Sequence, residues 1–288
     1  MPGSDQVLLV QPLTGQAVIL THEEARGVAA GQSLPTGLPL PQMREAGFAV
    51  ESDDDEQAML AEAYADFLQE TDRTPTQLIV VPSFGCNLRC TYCYQEPFAA
   101  GAIGLINPET IAALFAYIDR FFGQEELRPY LTLFGGEPLI DSPAHHDRVG
   151  RLMGGAQARG IGVAVVTNGY DLESYLPALS GGAVREVQVT LDGPPEIHDR
   201  RRLLHNGGGT FERVAAGIDR LLEARIPVNL RVVVDRENLP ALPVLARVAA
   251  QRGWLDRSEA LFKTQIGRNY ELFGCASRQG REQLFDRL

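Results

Sequence analysis

Three cysteines fall in one short run, Cys86-Asn87-Leu88-Arg89-Cys90-Thr91-Tyr92-Cys93. The spacing is CxxxCxxC, with an aromatic residue just before the last cysteine. Four thiolates saturate a tetrahedral zinc or a [4Fe–4S] cube, so three leave one metal corner open to another molecule. An open corner suggests chemistry and not only a structural staple. The fourth cysteine, Cys275, lies far down the chain. Taken alone, CxxxCxxC is also half a zinc site or a redox-sensing cluster, and its structural context decides between these.

The context is a regular scaffold. From Thr76 onward, apolar strands alternate with amphipathic helices. Strands are expected at 77–81, 130–134, 163–166, 186–191, 228–234 and 260–265. Asn107-Pro108-Glu109 opens a helix, with Asn as N-cap, Pro at N1 and an acid in the first turn. Ile111, Leu114, Phe115, Ile118 and Phe122 form its apolar stripe. Further helices are expected at 144–159, after an Asp171 cap, after a Thr210 cap, and at 239–251. Strands alternating with helices imply βαβ units and a parallel sheet.

The chemistry-bearing residues all follow strand ends. The cysteines follow the first strand and Gly135-Gly136-Glu137-Pro138 the second. Thr167-Asn168-Gly169 follows the third strand and Asp192-Gly193-Pro194 the fourth. Each of these later loops, taken alone, reads as a plain turn. Parallel α/β folds gather their ligand sites at the C-terminal ends of the strands, so four loops converge on one place.

Residues 1–70 read differently. Strands at 7–10 and 17–20 flank a turn, and Thr21 and Glu24 have capping-box spacing for a helix to about residue 30. A Pro/Gly-rich stretch runs over 31–41, a helical piece over 42–46 and an extended piece over 47–50. The acidic run 51–56 starts an exposed helix that continues to Glu70. His145, His146, His198 and His205 show no metal-ligand pattern and read as surface or structural. The Asp199-Arg200-Arg201-Arg202 run is either a solvated loop or a carboxylate holder.

The 288 residues carry a net charge of −11. That charge speaks against broad nucleic-acid binding, which relies on a basic surface. No apolar run approaches bilayer length, so no membrane partner is expected. Met1-Pro2-Gly3-Ser4-Asp5-Gln6 lacks the basic start and apolar core of a signal peptide, which makes the cytoplasm the expected location. Four cysteines, three of them bunched, argue against a secreted disulfide scaffold.

The set CNLRCTYC, FGGEP, VTNG and VTLDG, in this order, resembles the radical S-adenosylmethionine (SAM) superfamily. It most resembles the SPASM/twitch branch of peptide- and protein-modifying maturases, which includes anaerobic sulfatase-maturing enzymes. The resemblance covers roughly residues 78–265. It implies an α/β fold, a partial (β/α)6 TIM-like barrel over 76–265, preceded by a small α+β unit over 1–70. By this likeness Cys86, Cys90 and Cys93 ligate a [4Fe–4S] cluster, and SAM chelates the fourth iron. Cluster reduction then cleaves SAM to a 5′-deoxyadenosyl radical that abstracts a substrate hydrogen.

The same likeness places Tyr92 against the adenine. Gly135 and Gly136 admit close approach of a ligand, Glu137 accepts the SAM ammonium and Asn168 lines the pocket. Thr190 hydrogen-bonds the methionyl or ribose portion, and Asp192 accepts a ribose hydroxyl. Arg202 is the candidate for the SAM carboxylate, with two adjacent arginines competing. Cys275 is a candidate ligand of an auxiliary cluster, or an isolated inert thiol, in a C-terminal extension over 266–288 that reads as truncated. The N-terminal unit vaguely resembles the small domains that capture leader peptides, or it is a structural cap. A flavodoxin- or ferredoxin-type protein is the expected electron donor, and a peptide or protein side chain the expected substrate. The alternatives are a small-molecule radical SAM enzyme and a non-catalytic iron–sulfur or zinc protein that binds peptides or senses redox state.

Overall fold

A computed structural model of the chain describes residues 6–30, 39–95, 104–123 and 127–268. Two compact units divide at Thr74/Pro75. In the first, strands β1 (Gln6–Gln11) and β2 (Gln16–Thr21) pair antiparallel as a hairpin. Helix α1 (His22–Ala29) follows directly. The Thr21–Glu24 capping box forms: Glu24 N donates to Thr21 Oγ1 at 3.3 Å, and Thr21 N to the Glu24 carboxylate at 2.8 Å. Helix α2 (Leu40–Glu45) and the long acidic-headed helix α3 (Asp53–Arg73) complete the unit. Residues 47–50, expected as extended chain, form a turn at Gly47 and no strand.

The second unit is α/β. It contains β3 (Gln77–Val80), β4 (Leu88–Cys90), α4 (Pro108–Phe122), β5 (Tyr130–Leu133), α5 (Pro143–Gln157), β6 (Val163–Thr167) and α6 (Leu172–Ser180). Then come β7 (Val184–Thr190), α7 (Pro195–Arg201), β8 (Arg202–Leu204), α8 (Phe211–Glu223), β9 (Val228–Val234), α9 (Leu242–Gln251) and β10 (Phe262–Arg268). The six-stranded sheet runs β3-β5-β6-β7-β9-β10, every pair parallel. Consecutive neighbours with a helix in each crossover are the pattern of an incomplete (β/α)6 barrel.

The core lies between the sheet and its helices. Leu131, Leu133, Val165, Val187 and Val189 from the strands meet Phe115, Ile118, Leu152, Val214, Ile218 and Leu221 from the helices, all buried. Strand residues of opposite parity include the polar Thr132, Gln188, Thr190, Asn229 and Arg231. This alternation separates the helix-facing side of the sheet from the side on which the site is built.

Two expected caps do not form. Neither Asp171 nor Thr210 makes a side-chain bond to the first turn of its helix. Asp171 spends its carboxylate on Asn87, on the Asp141 N–H and on Arg213. Asp199 accepts from the Thr210 and Phe211 N–H groups at 2.7 and 2.8 Å, which frees the Thr210 hydroxyl for the Arg202 carbonyl. Long-range polar partners took over the capping side chains in both places.

Candidate radical and cluster site

The cysteine loop leaves β3 and returns as β4, which pairs antiparallel with β8. The ribbon sets Cys90 opposite Arg202, Arg89 opposite Leu203 and Leu88 opposite Leu204. Thr91 N extends the pairing by donating to the Arg201 carbonyl at 2.9 Å. Pattern reading missed this ribbon, because strands of three residues carry too little alternation to register.

The glycine pair serves this loop. Gly136 N donates to the Ser83 carbonyl at 3.0 Å and Glu137 N to the Gly85 carbonyl at 2.8 Å. Gly135 has φ +146°, and a Cβ there would lie 2.6 Å from the Ser83 carbonyl oxygen. A Cβ on Gly136 would overlap the carbonyl oxygens of Phe84 and Gly85. The close approach that needs glycine is therefore made by the backbone leading into Cys86, whereas a ligand was expected in that place. Both glycines still line the cavity beside the cysteines.

Glu137 and Asp192 sit under the site. Glu137 is 1% exposed and accepts from Leu139 N (2.8 Å), Thr167 Oγ1 (2.6 Å) and Asn168 N (2.6 Å). Burial pushes its carboxyl up to about 7, against three donors that favour the anion. Asp192 is fully buried and accepts from Tyr92 Oη (2.5 Å), Val233 N (3.1 Å) and Arg201 Nε (3.4 Å). Neither carboxylate lines the cavity beside the cysteines. Each carboxylate thus accepts from three protein donors in this structure.

The other expected residues come together. One cavity of about 240 Å³ is lined by Cys86, Cys90 and Cys93 with Tyr92, Asn168, Thr190 and Arg202. Gln188 of β7 and Arg231 of β9, which the sequence reading did not single out, also line it. Their signal was the alternation of the strands: Gln188 shares a face of β7 with Thr190, and Arg231 is paired with Thr190 across to β9. Arg202 donates from Nη1 to Tyr92 Oη at 2.7 Å. Its buried Nε has no hydrogen-bond partner. A second cavity, about 350 Å³, meets the same three cysteines from the side of Leu88, Arg89 and His205. A third, about 680 Å³, is bordered by Tyr92 and by the Arg201–Asp235 ion pair and is not lined by a cysteine.

These residues fit a cluster with a small ligand. No three His, Cys, Asp or Glu side chains among the described residues close on a single metal ion. A cube asks for something else, since each thiolate binds its own iron. Burial pushes the Cys86 thiol up to about 12, helped by nearby Glu137, and burial also raises Cys90. Only a strongly positive centre would make such buried thiols bind as thiolates. The orphaned Arg202 Nε supplies a charged donor for an anionic group. His198 is structural, buried between Asp192 N (3.2 Å to Nδ1) and Thr210 Oγ1 (3.0 Å to Nε2). Cys275 lies outside the described residues.

Comparison with known proteins agrees with this geometry. Residues 80–248 match the family model of the radical SAM superfamily. The chain is 28% identical over 170 residues to the cysteine-type anaerobic sulfatase-maturating enzyme of Clostridium novyi, covering 56% of this chain and 44% of that protein. It is 31% identical over 188 residues to the GTP 3′,8-cyclase of Caulobacter vibrioides, covering 63% of this chain and 50% of that one. The chain thus spans about half the length of these curated relatives. Among solved structures, native anSMEcpe with bound AdoMet superposes with a TM-score of 0.56 at 22% identity, over 68% of this chain and 52% of that one. Streptococcus suis SuiB bound to S-adenosylmethionine gives 0.51 at 13% identity, over 99% and 69%. These structural likenesses bear on the fold, and with the family match they lead to one conclusion: the chain belongs to the radical SAM superfamily, whose enzymes work with a [4Fe–4S] cluster and S-adenosylmethionine.

Proposed function

We propose that this chain carries the catalytic barrel of a radical SAM enzyme that modifies a peptide or protein side chain. The observation that carries the proposal is the single cavity joining all three cysteines to Thr190 and Arg202. When bound, the reduced cluster and SAM supply a 5′-deoxyadenosyl radical that takes a hydrogen atom from the substrate. Cys86, Cys90 and Cys93 hold three irons. Arg202 offers its free Nε to the SAM carboxylate, and Thr190 hydrogen-bonds the methionyl or ribose portion. Tyr92 keeps its ring beside the cavity because Asp192 and Arg202 fix its hydroxyl.

Gly135, Gly136 and Glu137 act by shaping the loop walls. Asp192 acts through Tyr92, and Asn168 through the cysteine loop. The domain reading in this proposal is a small N-terminal unit over 1–70, a radical SAM core over 76–265 and a separate C-terminal segment over 266–288. A reduced flavodoxin or ferredoxin is the proposed donor.

Peptide modification is favoured by the sulfatase-maturating relatives, one of whose solved structures holds a Cp18Cys peptide. GTP 3′,8-cyclases match at similar identity and keep a small-molecule substrate as the second reading. The test is 5′-deoxyadenosine formation by the anaerobically reconstituted, dithionite-reduced protein, with GTP or with cysteine- and serine-containing peptides. Stimulation by a peptide and none by GTP is expected. Stimulation by GTP alone would overturn the peptide reading.

A further inference from the structure

The loops after β3 and β6 meet in a chain of side-chain hydrogen bonds that ends on a cysteine sulfur. Asn168 Nδ2 lies 3.7 Å from Cys86 Sγ and 2.7 Å from Asn87 Oδ1. Asn168 Oδ1 accepts from Tyr170 N at 2.9 Å. Asn87 Nδ2 donates to Asp171 Oδ2 at 2.9 Å, and Asp171 Oδ1 is held by Arg213 Nη2 at 2.8 Å.

The direction of every bond in this chain is fixed by chemistry. A carboxylate only accepts, so Asn87 must turn its NH₂ to Asp171 and its carbonyl oxygen to Asn168. Asn168 must then turn its NH₂ to Asn87, and the Tyr170 N–H independently demands the same orientation. The remaining N–H of that amide points at Cys86 Sγ. No amide flip satisfies these partners equally well.

We propose that Asn168 is a positioning residue for the cluster, donating a hydrogen bond to the Cys86 sulfur and raising the cluster's reduction potential. Reduction adds negative charge to the cluster and its thiolates, so a fixed donor at sulfur stabilises the reduced form more than the oxidised one. Asn87, Asp171 and Arg213 lock the donor. The Leu88 N–H, 3.4 Å from the same sulfur, is a backbone donor that substitution does not remove. The assignment differs from a contact with SAM, and it ties the third barrel strand to the cluster's electronics. It rests on the reading that Cys86, Cys90 and Cys93 hold the cluster.

The experiment is an EPR-monitored redox titration of the full chain, reconstituted anaerobically with iron and sulfide. The proteins compared are wild type, Asn168→Ala, Asn168→Asp and Asp171→Asn, each normalised to its iron content. Asn168→Ala and Asn168→Asp are expected to move the midpoint potential down, and Asp171→Asn to move it the same way by less. SAM dissociation constants, from the SAM-induced change in the EPR signal, are measured in parallel, and the downward shift of the SAM-free cluster is expected whether or not they change.

A wild-type midpoint in an Asn168 variant with full iron content would overturn the inference. So would a large loss of SAM affinity with the potential unmoved. If Asn168→Ala takes up no iron, the nearly isosteric Asn168→Asp carries the test. Normal cluster assembly in Cys86→Ala, Cys90→Ala and Cys93→Ala would instead sink the underlying reading.

Discussion

At the residue scale, close backbone contacts and buried hydrogen bonds hold the site together. Gly136 is the tightest point, with two backbone carbonyls where a Cβ would stand. Gly136→Ala forces the cysteine loop off its neighbour. It should cost about 1–3 kcal/mol, as overpacking does elsewhere. Urea midpoints and the iron content after reconstitution measure this, and both should fall. Tyr92 is the second such point. Burial keeps its phenol protonated, so it donates to Asp192 while accepting from Arg202. Tyr92→Phe leaves both partners short of a bond inside a buried network. A loss of about 1–3 kcal/mol is expected in denaturant unfolding. Weaker SAM binding should accompany it, because Arg202 loses the contact that aims it. The pair of carboxylates shows what residue types alone do not reveal. Glu137 and Asp192 read as ligand acceptors by motif, and the fold adds protein donors to each that the motif alone does not show.

At the element scale, α7 and β8 carry the arginine run past His198, which bridges them to α8 through Thr210. Burial, reinforced by Arg202 and Arg201, holds the His198 imidazole well below its usual pKa of 6.5, so it is neutral in the folded protein. The unfolded chain takes up a proton below pH 6.5 that the folded one refuses. Stability from this group is therefore full above pH 6.5 and drains away as pH falls, by at most about 1.4 kcal/mol per pH unit. His198→Gln keeps an acceptor and a donor but cannot titrate. Urea unfolding at pH 7.5 and 5.5 should show a smaller acid loss in the variant than in the wild type. Helix α8 makes a plainer prediction. Ile218 is fully buried against the sheet, and Ile218→Ala should cost about 2–5 kcal/mol. The strands of the barrel were legible to within a few residues, because apolar runs bounded by turns suffice to find them. The β4–β8 ribbon was not legible, since its pairing joins residues more than a hundred positions apart. The Asp171 and Thr210 caps were misread for a related reason: their partners are tertiary.

At the scale of the molecule, the sheet order delivers every strand-end loop to one side. That is why the convergence of the cysteine motif with three short loops, each a plain turn alone, was readable in the sequence. The polar residues Gln188 and Arg231 carried a signal in the strand alternation, but a polar residue facing the barrel interior reads like one facing solvent until the sheet is formed. No helix among the described residues is long and apolar enough to cross a membrane. The central claim is that the three cysteines and the cavity beside them form a working SAM-cleaving centre. Its most direct measurement is 5′-deoxyadenosine released from SAM by the anaerobically reconstituted and reduced protein. Wild type should form it, and Cys86→Ala, Cys90→Ala and Cys93→Ala should each abolish it. Turnover retained in any of the three variants, or no cleavage by a fully loaded wild type, would contradict the claim.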